Sequence, residues 1–154
     1  MRFFILVLLL ILTGCSAAPN HPASGGFVAK SDTMEIIRKA AASAPYGVVG
    51  EYVLSIQATG KQGHVVYLNT ELDYRDQRNV TVALHPNIIP QLEAQYGVRA
   101  EEFFIGKTIR VEGAAQRVRI DFINDQRKPS GKYYFQTHIR ILNAAQIEVV
   151  NDSA

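Results

Sequence analysis

Residues 51–84 read EYVLSIQATGKQGHVVYLNTELDYRDQRNVTVAL, and their spacing decides the fold. Over residues 51–59, Tyr52, Leu54, Ile56 and Ala58 alternate with Val53, Ser55 and Gln57. Successive side chains of a strand point to opposite faces, so this alternation predicts a half-buried strand. The Gly- and Lys-containing residues 59–63 predict a turn. Residues 64–72 predict a second strand, with Val66 and Leu68 inward and Val65, Tyr67 and Asn69 outward. A charged loop follows over residues 73–79, then a third strand that places Val80, Val82 and Leu84 inward.

Downstream the texture changes. His85-Pro86-Asn87 ends the sheet, Asn87 is suited to cap a short helix, and Pro90 fits its first turn. Ile88, Leu92 and Tyr96 recur at helical spacing, Gly97 is the expected stop, and residues 100–104 add a further turn. Residues 107–122 predict a long fourth strand. Its inward set is Ile109 and Val111, then Val118, Ile120 and Phe122, so the parity changes. A bulge or bend near Gly113-Ala114-Ala115 is the expected cause. A polar loop over residues 124–132 precedes a fifth strand with Tyr133, Phe135, Ile139 and Ile141 inside and Tyr134, Gln136, His138 and Arg140 outside. Asn143 opens a turn, and residues 146–150 predict a short final strand.

Upstream, Ser31 or Asp32 is expected to cap a helix over residues 31–45, with Glu35 reaching back. Met34, Ile37 and Ala41 share one face, with Ile36 and Ala40 beside it, and Pro45 ends the helix. Three strands, a helix and two long strands resemble the OB-fold, a small five-stranded barrel. Val66-Tyr67-Leu68-Asn69 before Val80-Thr81-Val82, and residues 106–113 before residues 146–150, carry the likeness. The expected class is therefore mainly β: a five-stranded OB-fold-like barrel over residues 46–150, with a helix between strands three and four and a helix before the barrel. The rival is another small barrel or an open sheet. The resemblance is to bacterial nucleic-acid-binding OB modules, some related in shape to thermonucleases. The paired acids and Arg of the nuclease site are not recognisable, so no catalytic residue carries over.

Residues 3–12 are an unbroken apolar run behind the basic Arg2. A helix of that length rises about 15 Å, half a bilayer core, which suits a signal peptide rather than a transmembrane span. Leu12-Thr13-Gly14-Cys15 then resembles the lipobox of bacterial lipoproteins. The resemblance implies cleavage after residue 14 and a diacylglycerol on the Cys15 thiol. Each buried CH₂ contributes about 0.8 kcal/mol, and two acyl chains give stable anchoring. Ser16 in place of Asp resembles the outer-membrane class of Gram-negative hosts. Residues 15–30, rich in Ala, Ser, Pro and Gly, read as a lipidated flexible tether, and residues 151–154 as a tail. The expected address is the cell envelope, outer membrane facing the periplasm where the host has one.

The chain has 154 residues, a formal net charge of +2 and one Cys. That bounds it to one compact domain plus a tail and excludes a disulfide framework or Cys-rich zinc module. His21, His64, His85 and His138 form no metal-type pair, and no nucleophile elbow, phosphate loop or dinucleotide motif occurs. No metal, no cofactor beyond the covalent lipid, and no enzymatic activity are expected.

Charge distribution says more than its sum. Residues 107–140 hold eight basic and three acidic side chains, while the rest of the chain after residue 14 is net acidic. Arg117 and Arg119 share one face by alternation. In OB-folds the loops after strands one and four flank the binding face. Here they carry Lys61, and Arg127, Lys128 and Lys132; Tyr67 and Tyr134 point outward between them. Cations interleaved with aromatics suit phosphate chains with stacked bases. Anionic glycans, lipid headgroups or an envelope protein suit the same face, and a merely solvated hairpin is the plain alternative. The functional expectation is a lipid-anchored, non-enzymatic binding module for an anionic ligand. The alternative is an assembly lipoprotein gripping another envelope protein, and nucleic acid enters through the fold resemblance alone.

Overall fold

The computed structural model describes residues 29–150. The lipobox with Cys15, the tether up to residue 28 and the tail over residues 151–154 lie outside the described residues. The chain forms α1 (Thr33–Ala42), β1 (Val48–Ser55), β2 (Ala58–Gln62), β3 (Val65–Asn69), β4 (Val80–Leu84), α2 (Ile89–Tyr96), α3 (Ala100–Phe103), β5 (Thr108–Ile123), β6 (Pro129–Ile141) and β7 (Ile147–Val149).

One path of pairing runs β1-β5-β6-β4-β3-β2. The ends of that path are consecutive in the chain. At Ile56 the backbone amide donates to the Lys107 carbonyl at 2.9 Å, and at Gln57 it donates to the Asn69 carbonyl at 2.9 Å. The chain thus leaves β5 for β3 within two residues, and β1 and β2 are the halves of one bent strand. The ring closes as an OB-type barrel, with β4 and β6 parallel and the other barrel pairs antiparallel. β7 is a sixth strand in the usual count, added to β5 outside the ring.

The inward set is apolar because closure leaves those positions no water. Ile56, Val66, Leu68, Val80, Val82, Leu84, Ile109, Val111, Ile139 and Ile141 are fully buried. Each such side chain contributes about 1.5–3 kcal/mol through burial. α2 and α3 follow β4 and close one end with Leu92 and Phe104. α1 packs on β5, β1 and β4 through Ile36 and Ala40. Asp32 is its cap, accepting from the Met34 amide at 2.9 Å. Glu35 does not reach back; Arg38 holds it instead at 2.7 Å, and that bond holds its carboxyl down at about 2.

Several expected boundaries move. Residues 59–62 are strand, not turn: Thr59, Gly60 and Lys61 pair with Leu68, Tyr67 and Val66. The turn is Gly63-His64, between the paired Gln62 and Val65, with Gly63 at a φ of 61°; His64, expected to open the second strand, lies in it. β3 ends at Asn69 rather than residue 72, because Thr70 and Asn79 turn the chain into the loop. His85, not Asn87, caps the turn before α2; its Nδ1 accepts from the Asn87 amide at 3.3 Å. Gly97 closes α2 with φ of 75°, as its position predicts.

The expected bulge near Gly113 is absent. Register is unbroken from Val48↔Ala115 to Ser55↔Thr108 and from Ala115↔Ile139 to Asp121↔Tyr133, and the irregularity falls between Asp121 and Ile123. The parity change had assumed that every apolar residue points into the core. β1 stops opposite Ala115 and β4 stops opposite Thr137, so beyond these points β5 and β6 continue as a two-stranded ribbon. Phe122, Tyr133 and Phe135, expected inside, are 48%, 50% and 44% exposed because no third strand covers them. Val118 and Ile120, also expected inside, lie half-buried on the other face of the ribbon.

Candidate functional site

The bent first strand, β3, β4 and the ribbon enclose a groove of about 500 Å³ on the outside of the barrel. Its floor is the outward row of three neighbouring strands: Tyr67 and Asn69 on β3, Thr81 on β4, and Tyr134, Gln136 and His138 on β6. Lys61 on β2 forms one wall. Ile120 on the ribbon, with Leu72 and Tyr74 from the loop after β3, forms the rest.

Hydrogen bonds fix this floor. Gln136 lies at its centre, with Nε2 donating to the Tyr134 hydroxyl at 3.0 Å and to the Tyr74 carbonyl at 3.1 Å. Its Oε1 meets His138 Nε2 at 2.7 Å. An amide oxygen only accepts, so His138 carries its proton on Nε2 and leaves Nδ1 as an acceptor. Burial, and then the Arg140 charge, push the His138 imidazole down to about 4, so it is neutral at pH 7. Its ring stands 6.2 Å from that of Tyr67, tilted by 59°. Burial also raises the Tyr134 hydroxyl, which stays protonated.

Below the floor lies a buried polar network. Asn79 is 3% exposed. Its amide nitrogen lies 3.2 Å from Asn69 Oδ1, 2.9 Å from Thr81 Oγ1 and 3.2 Å from the Tyr74 carbonyl. Thr81 donates in turn to Asn69 at 2.9 Å. Buried polar groups need such partners, and these tie the Tyr74 loop to the floor. The Lys61 wall is tied as well: Thr59 donates to the Glu101 carbonyl at 2.6 Å, and Lys61 Nζ lies 3.8 Å from Glu101.

Of the residues singled out from the sequence, Lys61, Tyr67 and Tyr134 meet in this groove. Arg117 and Arg119 do not. They occupy the other face of the ribbon, where Arg117 stacks 3.6 Å from the Phe135 ring centre and Arg119 4.1 Å from that of Tyr133. Arg119 also pairs with Asp121 at 2.8 Å. Arg127 and Lys128 sit in the ribbon's loop and Lys132 close to it, beyond the groove's end. The expected face is therefore divided among a groove, a ribbon back and a ribbon tip. Sequence reading singled out no role for Gln136, His138, Asn69, Thr81 or Tyr74. The first four were legible as outward positions flanking Tyr67 and Tyr134, while Tyr74 reaches the groove through a loop whose path no periodicity encodes.

A second cleft, of about 650 Å³, separates α1 from the ribbon back, between Met34, Ile37 and Ala41 on one side and Arg117 and Phe135 on the other. Among the described residues no group of His, Cys, Asp and Glu is placed to hold a metal. No helix among them is long and apolar enough to cross a membrane.

No protein-family model matches the chain, and no curated protein matches it. Among solved structures, the chain is similar to an aspartyl-tRNA synthetase from Entamoeba histolytica, with 12% identity and a TM-score of 0.47 over 96% of this chain and 28% of that one. It is similar also to a protein assigned as an aspartyl-tRNA synthetase from Leishmania major Friedlin, with 15% identity and a TM-score of 0.44 over 90% of this chain and 24% of that one. The chain thus spans about a quarter of the length of each. The OB-type assignment rests on the closed strand order and its parallel β4–β6 pair.

Proposed function

We propose that the protein is a lipid-anchored, non-enzymatic binding module of the bacterial envelope, and that the groove over β3, β4 and β6 takes an anionic ligand whose rings, nucleobase or sugar, pack on its tyrosines. The observation that supports this most is the meeting of Lys61, Tyr67, Tyr134, Gln136 and His138 in one concavity. Tyr67 and Tyr134 offer ring faces, Gln136 and His138 offer oriented polar atoms, and Lys61 offers a charge at the wall. A neutral His138 adds no cation, so the ligand's charge is met at Lys61. The acyl anchor at Cys15 and the tether after it would hold this groove near a membrane surface.

The test is fluorescence anisotropy with two labelled probes, a single-stranded oligonucleotide and an acidic oligosaccharide, each at low and physiological salt. The reading expects one probe to bind, with affinity falling as salt rises. Tyr67→Ala should weaken it about ten-fold through lost stacking. Binding by neither probe, or binding indifferent to Tyr67→Ala and Lys61→Glu, would reject it. Mass spectrometry of the protein from its host tests the anchor separately: a first residue other than an acylated Cys15 removes it.

A second reading, an assembly role on another envelope protein, draws on the cleft beside α1. Met34 there is 52% exposed, beside Ile37 and Ala41. In-cell crosslinking from position 34 to one recurrent protein would favour that reading over the first.

A further inference from the structure

We propose that the β5–β6 ribbon is a membrane-docking finger that enters the headgroup layer of an anionic bilayer. The inference is independent of both the groove and the acylation of Cys15. From Arg117 to Ile123 the ribbon runs about 20 Å past the last β1 and β4 partners at the usual strand rise, its near part bordering the groove and the cleft beside α1 and its tip standing clear of both. A two-stranded ribbon is marginal by itself. Here ring contacts stiffen it: Phe122 to Tyr134 across the strands at 5.3 Å, Tyr133 to Phe135 along β6 at 5.5 Å, and the two arginines of β5 stacked on β6 rings.

Its composition fits one partner. Phe122 and Ile123, 48% and 58% exposed, sit at the distal end of β5, and Tyr133 is 50% exposed across from them. Five basic side chains (Arg117, Arg119, Arg127, Lys128 and Lys132) stand against two acidic ones, Asp121 and Asp125. Asp121 is already engaged by Arg119. Among the described residues, Arg127, Lys128 and Lys132 enter no ion pair within 4.0 Å. Aromatic and aliphatic groups ringed by cations suit the boundary between acyl chains and anionic headgroups. Shape agrees with this chemistry. Residues 123–132 at the tip line neither the groove nor the cleft beside α1, and a bilayer is a surface that such a tip enters.

The chain has no Trp, so a single introduced Trp reports its own position. Phe122→Trp and, separately, Ile123→Trp place it at the tip of the full chain. Val98→Trp places it between α2 and α3, remote from the ribbon. Each is mixed with phosphatidylcholine vesicles, with and without phosphatidylglycerol, and with brominated lipid as quencher. Both tip reporters should shift to the blue and be quenched on the anionic vesicles, while Val98→Trp stays unmoved. Changing Arg127, Lys128 and Lys132 to Glu should abolish the shift, and each single change to Ala should weaken binding about five-fold. Tip reporters that do not respond, an equal response on neutral vesicles or at Val98→Trp, or a shift produced by a soluble oligonucleotide and not by vesicles would each overturn the proposal.

Discussion

Asn79→Ala is the change through which packing and binding are most closely joined. Asn79 is a single residue, yet its amide serves two strands and a loop. Its nitrogen lies within hydrogen-bond reach of Asn69, Thr81 and the Tyr74 carbonyl, and its oxygen accepts from the Glu71 amide at 3.2 Å. Ala removes all of these in a site from which water is excluded. A net bond is worth about 1 kcal/mol, and a buried partner left unpaired costs about 1–3 kcal/mol. Asn69 Oδ1 keeps the Thr81 hydroxyl, which limits the damage. The sum is a loss of about 2–4 kcal/mol, measured as a fall in the urea midpoint at unchanged slope. The same change removes one of the two bonds to the Tyr74 carbonyl and so loosens its loop, and ligand affinity at the groove should fall in the variant at temperatures where it is still folded. A loss below about 1 kcal/mol would refute the claim that this network holds the floor.

Three further outcomes follow. His138 is neutral in the fold because its imidazole is depressed from 6.5 to about 4. The unfolded chain therefore binds the extra proton first, and stability present in full above pH 6.5 is lost as pH falls toward 4. The loss is at most about 3 kcal/mol, and His138→Gln should flatten that part of a denaturation-versus-pH curve. Gly113→Val should destabilise by about 1–3 kcal/mol in thermal melts, since even a Cβ there would lie 2.9 Å from Ile139 Cγ2. Asp32→Ala should cost about 1 kcal/mol by chemical denaturation, through loss of the α1 cap, and leave groove binding unchanged.

Alternation along residues 51–84 and 107–141 located the barrel interior well. Val66 and Leu68, Val80, Val82 and Leu84, Ile109 and Val111, and Ile139 and Ile141 all face inward and are buried. Gly97 stopped α2 where left-handed backbone was needed. The failures share a cause. Period two says which side of a strand a residue takes, and says nothing of whether another element covers that side. Tyr133 and Phe135 keep the parity of Ile139, but β4 ends before reaching them. Thr59 and Lys61 look like turn residues, yet the bent strand needs them as ladder partners for Leu68 and Val66. Arg117 and Arg119 do share a face, as read, but the ribbon turns that face away from Tyr67 and Tyr134. Closure of the barrel brings β3 and β6 to either side of β4, and this long-range event assembled the groove from outward positions that looked unrelated in the chain.

Whether the groove is the recognition surface is tested most directly by mapping. Backbone amide NMR shifts are followed while a single-stranded oligonucleotide, and then an acidic oligosaccharide, is titrated into the protein. With the probe that binds, the largest saturable changes should fall on Lys61, Tyr67, Thr81, Gln136 and His138. Changes confined to α1 and the ribbon back at Arg117 and Phe135, with the groove residues unmoved, would contradict the account.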